Sequence, residues 1–274
     1  RVLSHMETHA LLHTCGMPVR PSLVAHTATE AMFVAEQLGL PVDMHLESPE
    51  LPDAFNDKRV RRKLASIEAV RGALGDLSEA QHQSAPERRI HGVTLAPHRE
   101  RPNARQFFVE VFRDPVFGPV IRLGAGGSQG EALRDYAVAL PPLNRFLVQD
   151  LIGSTHAAQL LGEFRQQPAI DMNALEEVLL AISQMVCELP WLTELDLNPL
   201  IVDENGAIAA DARIVVDFAA SSGDRYSHMA IHPYPVHLIQ QWEQPDGRTV
   251  TIRPIRPEDQ EALAAAALAR YHST

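Results

Sequence analysis

Cysteine is scarce: the 274 residues hold two, Cys15 and Cys187. They lie too far apart for a CxxC motif, and two thiols cannot build a disulfide framework, so the chain suits a reducing cytoplasm. Long apolar runs are also missing. No stretch approaches the roughly 20 residues that a membrane-spanning helix requires, and the N-terminus lacks the charged-then-apolar order of a secretion signal. Positive charge is in short supply, with 24 Lys and Arg against 35 Asp and Glu and a net charge of -11. That balance argues against a general nucleic-acid or anionic-membrane surface, while leaving room for a local basic patch.

What is present is ordinary globular material. Apolar residues make up 45% and charged residues 22%, with length enough for one large domain or two smaller ones. The thirteen histidines are scattered. His5, His9 and His13 follow at i, i+4, i+8 along one helix face; with no carboxylate or cysteine ligand beside them, they read as a solvated face rather than a zinc site.

The stretch METHALLHTCGMPVRPS reads as a helix closed by Gly16 and Pro18, and Thr27 with Glu30 forms a capping box opening a second helix over AMFVAEQLGL. Residues 42–46, VDMHL, read as a strand, so the part up to about residue 95 is a small α/β unit. NDKRVRRKLASIEAVRGALGDL is expected to continue as a helix with a basic first half. RQFFVEVFRDPVFGPVIRLGAGG carries two β-rich runs around Asp114-Pro115 and Phe117-Gly118-Pro119, a hairpin pattern. Helices are expected around RFLVQDLIGSTHAAQLLGEF and across NALEEVLLAISQMVCEL. In the second, Leu175, Val178, Leu179, Ile182, Met185, Val186 and Leu189 form a core stripe. SSGD at 221–224 reads as a linker, HPYPVHLIQQWEQPDGRT as irregular, and TVTIRPIRPEDQEALAAAALARYH as a strand leading into a helix.

The most informative segment is ELDLNPLIVDENGAIAADARIVVD, residues 194–217. Asn205-Gly206 is a strong two-residue hairpin signal. That turn places Leu200 opposite Asp211 and Asn198 opposite Arg213, making Asn198 and Asp211 diagonal neighbours. One face then carries Asp196, Asn198, Asp211, Arg213 and Asp217; the other carries Leu195, Leu197, Ile201, Ile208, Ile214 and Val216 against the core. An amide oxygen beside a carboxylate suits a hard cation such as Mg²⁺. The alternative is a surface ladder of ion pairs joining Asp211 to Arg213 or Asp196.

The run LDLNPLIVDENGAIAADARIVV closely resembles the end of the ATP-grasp domain of NDP-forming acyl-CoA synthetases, relatives of the succinyl-CoA synthetase β subunit. CGMPVRPSLVAHTATEAMFVAEQLGLPV is similar to the family's opening elements, RDPVFGPVIRLGAGG to its hairpin and glycine-rich turn, and ALPPLN to the stretch that follows. Together these cover roughly residues 5–218 in the family's order. The resemblance implies an α/β (α+β) ATP-grasp fold of two subdomains, at 1–95 and 96–220. It implies Mg²⁺ held by Asn198 and Asp211 on the phosphates of ATP or ADP, and acetyl-CoA as a further ligand. Gly124, Gly126 and Gly127 keep the glycine-rich turn, whose amides would cradle a phosphate unless the turn serves chain geometry alone. IRPIRPEDQEALAAAAL resembles the first strand and helix of a GNAT acetyltransferase, so a linker at 221–247 and a GNAT start at 248–274, cut short, are expected. That order is the layout of bacterial protein lysine acetyltransferases of the Pat type.

The chain departs from this family where phosphate should be gripped. His45 stands at the position of a phosphate-contacting lysine, and SPELPDAFNDKRV replaces a His-Lys pair with Asp53 and Ala54 and two glycines with Lys58 and Arg59. Gln106 stands where a glutamate is expected. Lys58, Arg59, Arg61, Arg62 and Lys63 offer a substitute contact, although such a run usually forms a solvated face. The implied function is therefore a regulatory ATP-grasp region that senses a CoA ester or nucleotide, with protein substrates met through the GNAT domain. Two alternatives stand beside it: a working ADP-forming acyl-CoA ligase subunit, and a scaffold for self-association without a ligand.

Overall fold

The computed structural model describes residues 1–47, 60–84, 92–126, 135–163, 167–221, 226–255, 259 and 262–264. The chain divides into two compact units, Arg1–Ile231 and His232–Thr274.

The first unit holds two antiparallel sheets, each with its own core. Helix α1 (His5–Thr14) opens with a capping box: Ser4 Oγ accepts from the Glu7 amide and the Glu7 carboxylate accepts from the Ser4 amide. It ends at Gly16, whose φ of 74° only glycine adopts readily. Helix α2 (Ala28–Leu38) is capped by Thr27, whose hydroxyl accepts from the Glu30 amide at 3.2 Å. The small sheet runs β1-β4-β2-β3, from β1 (Leu23–Ala25), β2 (Val42–Glu47), β3 (Val60–Leu64) and β4 (Gly92–Pro97). Helices α2 and α3 (Ile67–Ser84) pack on it around Ala35, Val42, Met44, Val70, Leu77 and Leu95.

The basic run corrects one expectation. VRRKL is a strand, not the start of a helix, and α3 begins only after Ser66. Pairing with β2 supplies hydrogen bonds and a register that local helix propensity does not outweigh. Lys63 is held at a φ of 56°, its amide donating to Asp43 Oδ1 at 2.9 Å.

The large sheet runs β10-β8-β5-β6-β7, with β9 also paired to β8. Its strands are β5 (Arg105–Asp114), β6 (Gly118–Ala125), β7 (Tyr136–Ala139), β8 (Leu192–Asp203), β9 (Gly206–Ala209) and β10 (Ala212–Val216). Residues 105–125 form the expected hairpin. Helix α4 (Arg145–Gly153) stops earlier than its apolar pattern suggests, and a 3-10 turn (His156–Leu160) follows. Buried Asp135 accounts for the break, accepting the amides of His156 and Ala157 at 2.8 Å each. Helix α5 (Met172–Glu188) presents Leu175, Val178, Leu179, Ile182, Met185 and Val186 to the core, all buried as the stripe predicts. Helix α1 belongs to this core through Leu12, and the chain on either side of it bonds to β10 and β9: Leu3 N donates to Ile214 O and Arg20 N to Ala209 O, both at 2.9 Å.

The β8–β10 hairpin differs from prediction twice. Its turn is Glu204-Asn205, because Asp203 pairs with Gly206, and the register continues through Leu200 with Ala209 to Leu197 with Ala212. Buried Asp203 fixes this turn: its Oδ1 accepts from the Asn205 amide at 2.8 Å and its Oδ2 lies 3.0 Å from Arg101. Second, β8 is bulged. Phe107 pairs with Leu200 but Val109 with Leu197, so Asn198 and Pro199 together oppose Phe108. The extra residue shifts the alternation. Leu195 and Leu197 face the core before it, Leu200 and Val202 after it, while Ile201 and Ile208 pair on the other face, half-exposed. Ile214 and Val216 are buried as expected.

In the second unit, β11 (Gln240–Glu243) and β12 (Thr249–Ile252) form a hairpin about Gly247, so part of the segment expected to be irregular is a strand. Every residue of both strands is exposed. Arg253 forks onto the Asp259 carboxylate at 2.6 and 2.8 Å. Residues 262–264 are helical; the rest of the predicted terminal helix, and most of SSGD, lie outside the described residues. No described helix is long and apolar enough to cross a membrane.

Candidate functional site

Asn198 continues the alternation of Asp196, out of the core and on the face of the large sheet that carries its polar groups, and the bulge in β8 begins at it. Asp211 immediately precedes Ala212, the partner of Leu197, so it lies level with Asn198. The two are direct cross-strand neighbours, closer than the diagonal relation expected. Asn198 Oδ1 is buried and has no hydrogen-bond partner. An amide oxygen in that state costs about 1–3 kcal/mol unless something completes its coordination. Asp211 Oδ1 accepts from the Ala212 amide at 2.8 Å.

His45 enters from the small sheet. It sits on β2, opposite Thr94 of β4 and Val60 of β3, and its buried, unbonded Nε2 lies 3.9 Å from Asp211 Oδ2. Three residues singled out from sequence therefore meet where the two sheets face each other. Arg20 ties the sheets at this point. Its amide bonds to β9, and its guanidinium donates to Asp43 Oδ2 at 2.6 Å and Pro97 O at 2.7 Å on the small sheet.

Beside this cluster runs a charged row that sequence reading missed. Across four strands the register aligns Arg213, Asp196, Glu110 and Arg122. Arg122 donates to Glu110 Oε2 and is held between the rings of Phe112 and Tyr136, 5.2 and 5.1 Å from their centroids. Arg213 pairs with Glu194 at 2.8 Å rather than with Asp211, so the predicted ladder does not form through it. Asp196 is left with Glu110 as a like-charged neighbour. Burial, then the negative charges of Glu110 and Asp211, push its carboxyl up to about 7, against the pull of Arg213 and Arg122. Period-two alternation in QFFVEVF could have placed Glu110 on this face, but only the register joins it to Asp196.

The glycines stand apart from the row's charges. Gly124 pairs with Phe108 and Tyr136 inside the sheet, and a Cβ there would meet Asp135 O at 2.3 Å and the Phe108 ring at 2.4 Å. Gly126 donates its amide to Gln106 O at 2.7 Å, committing it to the sheet. Gly127, Asp53, Ala54, Lys58 and Arg59 lie outside the described residues. Of the remaining basic run, Lys63 pairs with Glu100 at 2.6 Å on the surface.

A hard divalent cation fits this donor set. Among the described residues no group of three or more His, Cys, Asp or Glu could hold a metal, so the protein offers two oxygens, from Asn198 and Asp211. Mg²⁺ accepts such a site when water and phosphate oxygens complete its shell.

Residues 1–216 match the ATP-grasp domain family. The chain belongs to that family. The ATP-grasp match spans both sheets and ends with β10, and residues 217–274 lie beyond it. The chain is similar to the β subunit of an ADP-forming acetate–CoA ligase, form II, from Pyrococcus furiosus, at 31% identity over 77% of this chain and 89% of that one. Among solved structures it is similar to the dinucleotide-forming acetyl-coenzyme A synthetase 1 of Ca. Korarchaeum cryptofilum in complex with coenzyme A, Ca-AMPCP and HgCl⁺. The TM-score is 0.72 at 27% identity, over 79% of this chain and 94% of that one. A second structure of that enzyme holds coenzyme A and Mg-AMPPCP, with its phosphohistidine segment pointing towards the nucleotide binding site; there the TM-score is 0.62 at 26% identity, covering 79% and 93% of the two chains.

Proposed function

We propose that this ATP-grasp region binds a magnesium–nucleotide complex between its two sheets and acts as a sensing module rather than a thioester-forming one. The carrying observation is the buried, unpartnered Asn198 Oδ1 level with Asp211. Asn198 and Asp211 would hold Mg²⁺, which supplies charge neutralisation on the nucleotide phosphates. The similar archaeal synthetase, solved with Mg-AMPPCP, supports the nucleotide class. His45 supports the sensing role. It faces Asp211 at 3.9 Å, where a transferring phosphoryl group would need a fixed ammonium or guanidinium, and the residue there is neither lysine nor arginine. Acetyl-CoA is the second ligand proposed, by similarity to the synthetase solved with coenzyme A.

In the same reading, the second unit begins a GNAT acetyltransferase whose activity the ATP-grasp region tunes. The strand β12, the Arg253–Asp259 fork after it and the helical residues 262–264 support that assignment, because they follow the strand-then-helix order expected of it. Calorimetric titration of Mg·ATP and acetyl-CoA into the wild-type chain and Asp211→Ala tests the site. Mg·ATP binding by the wild type and its loss in Asp211→Ala are expected; binding unchanged by the substitution removes the metal assignment. A second assay measures ADP and phosphate release from ATP in the presence of acetate and coenzyme A. Turnover there would make the chain a working ligase subunit, the reading that the identity to ligase β subunits favours.

A further inference from the structure

The histidines of α1 do not form the plain solvated face that their spacing implies. His5 and His9 stand one turn apart with ring centroids 4.1 Å apart and planes tilted by 38°. Both Nε2 atoms converge on one oxygen outside the helix, Ser22 Oγ, at 2.9 Å from His5 and 3.5 Å from His9. Ser22 precedes β1, so the convergence joins two separate segments of chain. His13, two turns along, is exposed and takes no part in these contacts.

We infer that His5, His9 and Ser22 form a chelating site for a borderline divalent transition ion, with Zn²⁺ the natural occupant. Two imidazoles at i, i+4 on one helix face are a recurrent zinc-binding pair, because one turn brings both lone pairs to a common point. Here that point is marked by the hydroxyl both rings address. The 2.9 and 3.5 Å separations from Ser22 Oγ bracket the roughly 3.3 Å between ligands around a tetrahedral ion with 2.0–2.1 Å bonds, so one ion fits among the three atoms after small side-chain shifts. Ser22 offers an oxygen, and water completes a tetrahedron.

The donor set selects the metal. Imidazole favours Zn²⁺, Ni²⁺ or Cu²⁺ over Mg²⁺, so the site differs in kind from the oxygen pair at Asn198 and Asp211. Burial of His9 keeps its ring neutral, the form that ligates. The negative charge of Asp211 acts on His9 in the opposite sense and favours a cation nearby. With only two protein nitrogens, and no group of three His, Cys, Asp or Glu among the described residues, the ion is exchangeable rather than structural.

The proposal does not rest on nucleotide binding, and its test uses the metal alone. Zn²⁺ is titrated into the metal-free full chain, and Co²⁺ serves as a visible-absorbing substitute. The wild type and His13→Gln are expected to bind one equivalent each, with tetrahedral Co²⁺ absorption. His5→Gln and His9→Gln are each expected to weaken binding on the order of tenfold or more. In parallel, imidazole NMR of the wild type is expected to show zinc perturbing His5 and His9, a readout that needs no variant to fold. Absence of zinc binding by the wild type overturns the site. So do wild-type affinities in the His5→Gln and His9→Gln chains, or perturbation confined to other histidines.

Discussion

Asp196 and His45 show how single residues carry this site. Asp196 lies between Arg213 and Glu110 in the charged row, with its carboxyl pushed up to about 7 by burial first. An aspartate whose folded pKa exceeds its unfolded value contributes stability that is complete below pH 3.8 and is lost as pH rises through 7. Asp196→Asn removes that loss. In metal-free buffer the variant is therefore expected to be more stable than wild type by about 1–3 kcal/mol at pH 8. The gap should close towards pH 4, read by urea unfolding across the range. A gap independent of pH would mean that the carboxyl does not titrate as its surroundings dictate. At His45 a fixed ammonium should restore grip on phosphate: His45→Lys is expected to tighten Mg·ATP about tenfold by calorimetry. Weaker or unchanged binding would show that the nucleotide phosphates do not reach β2.

At the scale of elements, the glycine-rich turn tests whether its glycines serve the ligand or the sheet. Gly124 has no room for a side chain, since the Asp135 carbonyl and the Phe108 ring occupy the space of a Cβ. Gly124→Ala is expected to cost about 2 kcal/mol by denaturant titration even without ligand. An unchanged midpoint would return the glycine to a ligand role alone. Elements defined by local signals were readable: Gly16 closes α1, Asp114-Pro115 marks the β5–β6 hairpin, and the apolar stripe of α5 is buried as its spacing requires. Elements defined by distant partners were not. The basic run became β3 because β2 lay beside it. The hairpin turn moved to Glu204-Asn205 because Asp203 accepts the Asn205 amide and lies in an ion pair with Arg101, far away in sequence. Asn198 and Asp211 were identifiable by motif, whereas the row of Arg213, Asp196, Glu110 and Arg122 exists only through a register across four strands.

For the whole molecule, both hydrophobic cores fall within residues 1–231. Among its described residues the sheet of the second unit is a two-stranded hairpin, exposed along both strands, and such hairpins are marginal alone in water. A chain ending at Ile231 is therefore expected to melt cooperatively within about 5 °C of the full chain. A broad or much lower transition would show that the second unit contributes to the fold of the first. The site itself needs both sheets, because His45 comes from one and Asn198 and Asp211 from the other.

The bulge in β8 behaves like a frame marker in a message. Up to Leu197 the strand is read in one phase, and from Leu200 in the other, with Asn198 at the join. Losing one residue at the join would leave Leu200 and Val202 inside, because a single residue opposite Phe108 restores plain alternation between Leu197 and Leu200. Flattening the bulge at unchanged length would do the opposite, turning Leu200 and Val202 to water and Ile201 inward. The join therefore tolerates a missing letter better than a straightened one.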